Sequence, residues 1–295
     1  MPVHLPSTKA LRTFFTVATT LSFSKAAEKL CISQGAVSKQ ISALEQQLGQ
    51  ALFFRRVNGI ELTEAGKTYL PQVSEAIHII QSSTANLLQS DHTQDTLTVS
   101  VTPSFASLWL TPRIKAFLSQ HSDLRVNIRT GDEPKISEAH DNDVIIRCLP
   151  ISHHYEQATL LCQEKLLLIG SAELIKRKPI KNNDDLFSHT FIPHITRPEL
   201  WEQFKLENKL GDVTKYHAVG FEHYYLSLAA AMDNQGLALV PDFMARAALK
   251  ANKIVNPLGY GIESHFGYYT TIPHYKRGNR AVCEFEQWIY HEIRS

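Results

Sequence analysis

Three helix signals separated by two very short turns, and then a hairpin signal, occupy the first sixty residues, and this run constrains the fold more than any other feature of the chain. Leu11, Phe14, Ala18 and Leu21 recur at helical spacing. The turn Leu21-Ser22-Phe23-Ser24 follows, with Ser24 available to cap a short helix over 25–30. After a second break at Cys31-Ile32-Ser33, the residues Val37, Ile41, Leu44 and Leu48 fall in one narrow stripe at about 100° per residue, and Gly49 ends that helix. Two short extended runs then flank Asn58-Gly59, a pair that favours a two-residue hairpin turn, so a wing is expected over 53–62.

Thr63 can cap the next helix, in which Leu70, Val73, Ile77, Ile80 and Leu87 repeat every three or four residues. An apolar seam on a long, otherwise polar helix needs a partner. Pro71 interrupts the pattern and predicts a kink there, because proline removes one backbone hydrogen bond. The polar stretch Ser90-Asp91-His92-Thr93-Gln94-Asp95 reads as a hinge. Beyond it, strand patterns at 97–102, 124–128, 143–147, 166–169, 237–240 and 268–272 alternate with helical ones. A helix containing Ile114, Phe117 and Leu118 is followed by others near 199–208, 225–233, Asp242–Lys250 and Arg280–Arg294. This order predicts an α/β body with largely parallel sheets behind an all-α N-terminal part. The expected division is 1–62, 63–92 and 93–295.

A chain of 295 residues exceeds what one core usually organises. Its 43% hydrophobic and 20% charged residues are ordinary for a globular protein. The net charge of +1 conceals an asymmetry: residues 1–90 carry eight Lys/Arg against five Asp/Glu, a net +3, which leaves −2 for the rest. A basic head suits contact with phosphates. The four cysteines, Cys31, Cys148, Cys162 and Cys283, show no CxxC spacing, which indicates neither a disulfide framework nor a zinc knuckle and fits a reducing compartment. No basic segment precedes an apolar stretch at the start and no run of 18 apolar residues occurs, so a cytoplasmic protein without membrane association is expected.

The rival class, an enzyme, finds no motif. No two glycines stand four apart, which excludes GxSxG, and neither GxGxxG nor GxxxxGK[ST] occurs. The acid pairs Asp141/Asp143 and Asp184/Asp185 fall in polar stretches without the apolar surroundings that would raise one carboxyl for acid catalysis. Of the fourteen histidines, His153-His154 and His189…His194 come nearest to a metal cluster, but HExxH and a Cys/His quartet are both missing. No cofactor or metal is expected.

Opposite the apolar stripe of the third helix lie Gly35, Lys39 and Ser42, with Ser38 at the margin and Gln34 at the N-terminal end. Small groups permit close entry into a major groove, and Gln or Lys can reach base edges and phosphates. The same pattern also describes the solvated face of an ordinary three-helix bundle.

The residues Phe14, Ala18, Ser22-Phe23-Ser24-Lys25-Ala26-Ala27-Glu28-Lys29-Leu30, Ser33-Gln34, Ala36-Val37-Ser38, Gln40-Ile41, Leu44-Glu45, Leu48-Gly49, Leu52-Phe53, Arg55 and Leu62-Thr63-Glu64-Ala65-Gly66, at their spacing, resemble the signature of LysR-type transcriptional regulators. The resemblance implies that Gln34, Ser38 and Lys39 contact the DNA groove. It also implies that Ser24 and Ser33 cap helices whose N-termini face phosphates, and that Arg55 and Arg56 meet the flanking backbone from the wing. Gly35 departs from the Pro or Ala common at that place.

Further on, Leu97-Thr98-Val99-Ser100, Pro103-Ser104-Phe105-Ala106, Trp109-Leu110, Pro112-Arg113, Asp143-Val144-Ile145-Ile146-Arg147, His194, Arg197, Trp201 and Tyr268-Tyr269-Thr270-Thr271-Ile272-Pro273 are similar to the subgroup containing the activators of glycine cleavage and of D-serine deaminase and the β-lactamase regulator. Their effector domain resembles a type II periplasmic binding protein, which here implies lobe I over about 97–162 and 266–295, lobe II over about 163–265, and a cleft between them. Thr102 and Ser104 open a helix after the first strand, where hydroxyls and backbone N–H groups favour an anion. Arg147 ends the third strand and could hold a carboxylate bidentately. The resemblance places His194, His223, Tyr224 and Tyr268 in the effector site as well, although the subgroup often has Ser at the position of His223 or Tyr224. Each has a plainer role open to it: Ser104 a helix cap, Arg147 an ion pair with Asp143 or Glu133, Tyr268 and Tyr269 core strand residues.

The expected assembly is a homodimer or a dimer of dimers, joined through residues 64–90, on a pseudo-palindromic double-stranded operator. A small effector in the cleft, an amino acid or related carboxylate, alters DNA binding or contact with RNA polymerase. An effector-independent repressor stays open, as does a solute-binding protein or enzyme with an accessory DNA-binding head.

Overall fold

A computed structural model describes residues 4–56, 59–88, 95–131, 142–155, 158–211 and 215–294, with the backbone alone for residues 55, 56, 82 and 85–88. The chain divides into two compact units, Met1–His92 and Thr93–Ser295.

In the first unit, α1 (Thr8–Thr20), α2 (Phe23–Leu30) and α3 (Gln34–Leu48) are each started by a serine outside the helix and stopped by a left-handed residue. Ser7, Ser22 and Ser33 accept hydrogen bonds from the backbone N–H of Ala10, Lys25 and Ala36 at 3.2, 3.3 and 3.2 Å, satisfying donors a helix start leaves open. The cap of α2 is therefore Ser22 rather than Ser24, because α2 begins at Phe23, two residues earlier than its apolar spacing suggests. Leu21, Cys31 and Gly49 take φ of 45°, 54° and 69° and close the three helices.

Strands β1 (Phe53–Arg56) and β2 (Gly59–Leu62) pair antiparallel, Arg56 opposite Gly59. The hairpin is as expected, but Gly59, expected in its turn, belongs to β2, and residues 57 and 58 lie outside the described residues. Glu45 ties α3 to the wing by accepting from Leu52 N and Phe53 N at 2.8 and 3.2 Å. Thr63 accepts from Gly66 N at 3.0 Å and starts α4 (Glu64–Leu88). Gly66 is required there, because a Cβ would stand 2.3 Å from the Leu52 carbonyl oxygen.

Helix α4 runs on through Pro71. Its seam is divided: Val73 and Ile77 are buried with Phe14, Val37, Ile41, Leu44 and Leu52 in the head's own core, while Ile79 and Ile80 are exposed. Part of the apolar stripe thus finds its partner within the chain. The side chain of Leu87 lies outside the described residues.

The second unit contains β3 (Asp95–Val101), α5 (Pro103–Phe105), α6 (Ile114–Gln120), β4 (Leu124–Thr130), β5 (Val144–Pro150), β6 (Ala158–Ser171), α7 (Ala172–Arg177) and α8 (Asn183–Leu186). These are followed by α9 (Leu200–Glu207), α10 (Tyr224–Met232), β7 (Ala238–Pro241), α11 (Asp242–Lys250), β8 (Ile254–Val255), β9 (Gly261–Thr271) and α12 (Arg280–Arg294). The strands run in the order β4-β3-β5-β9-β6-β7, with β8 on β6.

The expectation of largely parallel sheets is corrected. β3 is parallel to β4 and β5, but β9 is antiparallel to both β5 and β6, and β6 is antiparallel to β7 and β8. The long strands β6 and β9 each serve two lobes and run against one another, which short apolar runs in the sequence do not reveal. Their pairing is broken between Leu160 and Cys162 and again between Gln163 and Lys165, where the register jumps from Gly267 to Glu263. Glu164 sits at that second break.

The core is formed by residues such as Val99, Phe105, Trp109, Phe117, Leu166, Leu168, Phe204, Phe243 and Phe285, each no more than 3% exposed. Burying a side chain of this size contributes about 1.5–3 kcal/mol. The long amphipathic α12 packs Val282, Phe285 and Ile289 onto it.

Candidate functional site

Two surfaces carry the residues singled out above. On the first unit, Val37, Ile41 and Leu44 turn one side of α3 into the core, which leaves Gln34, Gly35, Lys39 and Ser42 exposed and Ser38 half-buried on the other. Ser33 is exposed at the N-cap. Ser24, within α2, donates from its hydroxyl to the Gln34 amide oxygen at 3.3 Å, so the ends of α2 and α3 present one polar edge. The backbones of Arg55 and Arg56 lie in the wing; their side chains are outside the described residues.

On the second unit a cleft of about 220 Å³ is lined by Thr102, Ser104, Cys148, His194, Thr196, Arg197, Glu222, His223, Tyr224 and Tyr268. Thr102 and Ser104 come from the turn after β3, Cys148 and Tyr268 from paired positions of β5 and β9, and the rest from the segments around His194 and at the start of α10. Ser104 Oγ accepts from Tyr225 N–H at 3.4 Å, joining the two walls.

Six of the seven expected effector residues are thus brought together, and Arg147 is not. β5 continues to Pro150, so Arg147 lies within the strand rather than at its end. Its neighbour Cys148 faces the cleft, and strand alternation sends Arg147 to the other face. There it is buried and donates to the Ser100 carbonyl at 3.0 Å and the Ser100 hydroxyl at 2.8 Å. Asp143 instead accepts from Thr98 N–H and from Lys276, at 2.6 and 2.5 Å, and Glu133 lies outside the described residues.

The guanidinium of the cleft belongs to Arg197. Its Nη1 donates to Glu164 Oε2 at 2.6 Å and to the Tyr224 hydroxyl at 3.1 Å, and its Nη2 to Cys148 Sγ at 3.1 Å. It also stands 3.9 Å from the centre of the Phe266 ring. Glu164 is wholly buried beneath it and accepts from Ser264 at 2.7 Å, from Tyr268 at 3.4 Å and from the Cys148 thiol at 3.6 Å. A buried carboxylate needs this many donors to offset the loss of water. Glu164 shares strand parity with the buried Leu166 and Leu168, so an acid in the inward phase of an apolar strand was the available signal. For Arg197 the signal was its place three residues after His194 in a segment already singled out.

Burial would lower the charge of Arg197, but Glu164, then Tyr224 and Cys148, more than offset it and hold the guanidinium above its ordinary value. Burial pushes the Tyr224 and Tyr268 phenols well up, and burial together with Glu164 raises the Cys148 thiol above its usual range. Cys148 therefore serves as a neutral hydrogen-bonding group, not a nucleophile. Burial, then Arg197 and His223, hold the His194 imidazole down to about 4. It packs 4.6 Å from the Tyr224 ring, and its Nδ1 lies 3.2 Å from the Thr196 hydroxyl. At the rim His223 Nε2 lies 3.3 Å from Glu222 Oε1.

A capped helix-turn-helix with a wing, and a two-lobed α/β unit with a polar cleft, define a DNA-binding regulator with a ligand-binding domain. Residues 8–67 match the bacterial regulatory helix-turn-helix protein of the lysR family, and residues 90–293 match the LysR substrate binding domain. The chain belongs to the LysR family of transcriptional regulators, which are not enzymes. It is 33% identical to the glycine cleavage system transcriptional activator of Escherichia coli over 98% of this chain and 94% of that protein. It is 29% identical to the transcriptional activator AmpR of Pseudomonas aeruginosa, over 97% and 95%. Among solved structures, full-length LysG of Corynebacterium glutamicum superposes with a TM-score of 0.66 at 18% identity, covering 98% of both chains. The effector domain of AmpR from P. aeruginosa gives 0.57 at 23% identity, covering 68% of this chain and 96% of that one. Among the described residues no helix is long and apolar enough to cross a membrane.

Proposed function

We propose that the regulator binds a pseudo-palindromic operator as a homodimer or a dimer of dimers, and that a small molecule in the cleft alters operator binding or contact with RNA polymerase. Gln34, Ser38 and Lys39 read the major groove, Ser24 and Ser33 adjoin phosphates at the helix starts, and Arg55 and Arg56 hold the flanking backbone. Thr102, Ser104, His194, His223, Tyr224 and Tyr268 contact the effector, and Arg197 replaces Arg147 in that set. Residues 1–62 form the DNA-binding head, 63–92 the linker and 93–295 the effector domain.

The observation that carries this reading is the cleft itself, whose polar side chains converge from both lobes on a space of about 220 Å³. The homodimer is supported by α4, whose exposed Ile80 lines an apolar groove shared with Leu11 of α1. LysG was solved with Arg as bound effector, and one relative is named for activating the glycine cleavage system, so amino acids are the first compounds to try.

The test is a gel shift with the fragment upstream of the gene across a salt series, repeated with compounds that raise the thermal midpoint of the protein. A salt-sensitive shift altered by such a compound is expected. Specific DNA binding that no cleft ligand changes would favour the effector-independent repressor.

A further inference from the structure

We propose that Glu164 sets the charge class of the cleft's ligand: by cancelling Arg197 from beneath, it makes the cleft select a small zwitterion over the carboxylate of the same shape without an ammonium group. The inference rests on the reading of the cleft as an effector site.

Arg197 and Glu222 line the cleft together with the imidazoles of His194 and His223, and Glu164 meets Arg197 from beneath. The Arg197–Glu164 pair, at 2.6 Å and with Glu164 fully buried, is neutral as a unit. Glu222, 3.3 Å from His223 Nε2, adds a second carboxylate at the rim. With Arg197 cancelled by Glu164 and a second carboxylate at the mouth, the cleft holds no uncompensated guanidinium or ammonium group among these residues. An anion entering it loses its hydration and meets no uncompensated cation.

A zwitterion fares differently. Its ammonium can face Glu222, which is exposed at the mouth, while its carboxylate lies toward Thr102, Ser104 and the N–H groups of Arg197 not engaged by Glu164, Tyr224 and Cys148. Glu164 is also fixed in place. It lies at the register break between β6 and β9, held by Ser264 and Tyr268, and cannot swing away when a ligand arrives. Glu164 is thus a positioning and specificity-determining residue that acts through Arg197 and does not touch the ligand.

The test is calorimetric titration of the full-length protein with matched pairs: glycine and acetate, L-alanine and propionate, L-serine and D-glycerate. At least one amino acid should bind, with its carboxylate partner at least tenfold weaker. Glu164→Gln, which keeps the shape and an acceptor for Arg197, should reduce that preference at least tenfold. Glu222→Gln, at the rim where folding is not at stake, should weaken the amino acid tenfold without weakening the carboxylate. A carboxylate that binds wild-type protein as tightly as its amino acid, or a folded Glu164→Gln protein with an unchanged ratio, would overturn the role of Glu164 while leaving the cleft as a ligand site. Silence of all six probes would refute the cleft as a site for molecules of this size, and the proposal with it.

Discussion

Replacing His194 by Asn should make the protein markedly more resistant to acid. His194 is 8% exposed, and its imidazole is held down to about 4, first by burial and then by Arg197 and His223. In the unfolded chain it titrates near its ordinary value of 6.5. Above that value both states are neutral and the group contributes nothing to pH dependence. As pH falls from 6.5 toward 4 the unfolded chain takes up a proton the native state refuses, so the native state loses stability across that window. The gap of roughly 2.5 units corresponds to about 3 kcal/mol once pH is below 4, most of it already lost at about pH 4.5. H194N keeps an acceptor near the position of Nδ1 for the Thr196 hydroxyl but cannot be protonated. Urea unfolding of both proteins at pH 7.5 and pH 4.5 measures the difference. Whatever the variant costs at pH 7.5 through altered packing against Tyr224, its loss between the two pH values should be smaller than that of wild type by about 2–3 kcal/mol. Equal losses in the two proteins would show that His194 is protonated in the folded state as readily as in the unfolded one, and the burial argument would fail.

Ser22→Ala should cost about 1 kcal/mol of stability by removing the cap of α2, whereas Ser24→Ala should stay within about 0.5 kcal/mol, as denaturant midpoints will show. Gly66→Ala forces a Cβ against the Leu52 carbonyl and should destabilise by about 1–3 kcal/mol in the same assay, in contrast to Gly35→Ala, which meets nothing within 4 Å and should gain about 0.5–1 kcal/mol. Gln34→Ala should reduce discrimination between operator and random DNA, and Lys39→Ala should weaken binding to both and flatten the salt dependence; equal effects of the two variants on both DNAs would contradict these roles.

What could be read from the chain follows its local physics. Helix periods, the Gly49 stop, the Thr63 start of α4 and the presence of a hairpin depend on neighbours within four residues or so, and each was legible, while the Ser33 cap followed from the family resemblance. The family signature rests on the same head residues, which is why the fold could be anticipated from them. Ser24 was misplaced as a cap by two residues because two serines flank one phenylalanine, and only the backbone at Ser22 decides which of them precedes the helix.

The tertiary structure decided everything that depends on register between distant strands. Nothing near Arg147 states that β5 runs three residues past it or that its alternate face, with Cys148, becomes the wall of the cleft. Nothing near Glu164 states that β6 and β9 lose register there, yet that break holds a fully buried carboxylate under Arg197. Arg197 and Tyr268, 33 and 104 positions from Glu164 in the chain, meet at it because two long strands cross between lobes. A side chain's type and its strand phase are local properties; which face of a sheet becomes the wall of a cleft is a property of the whole packing.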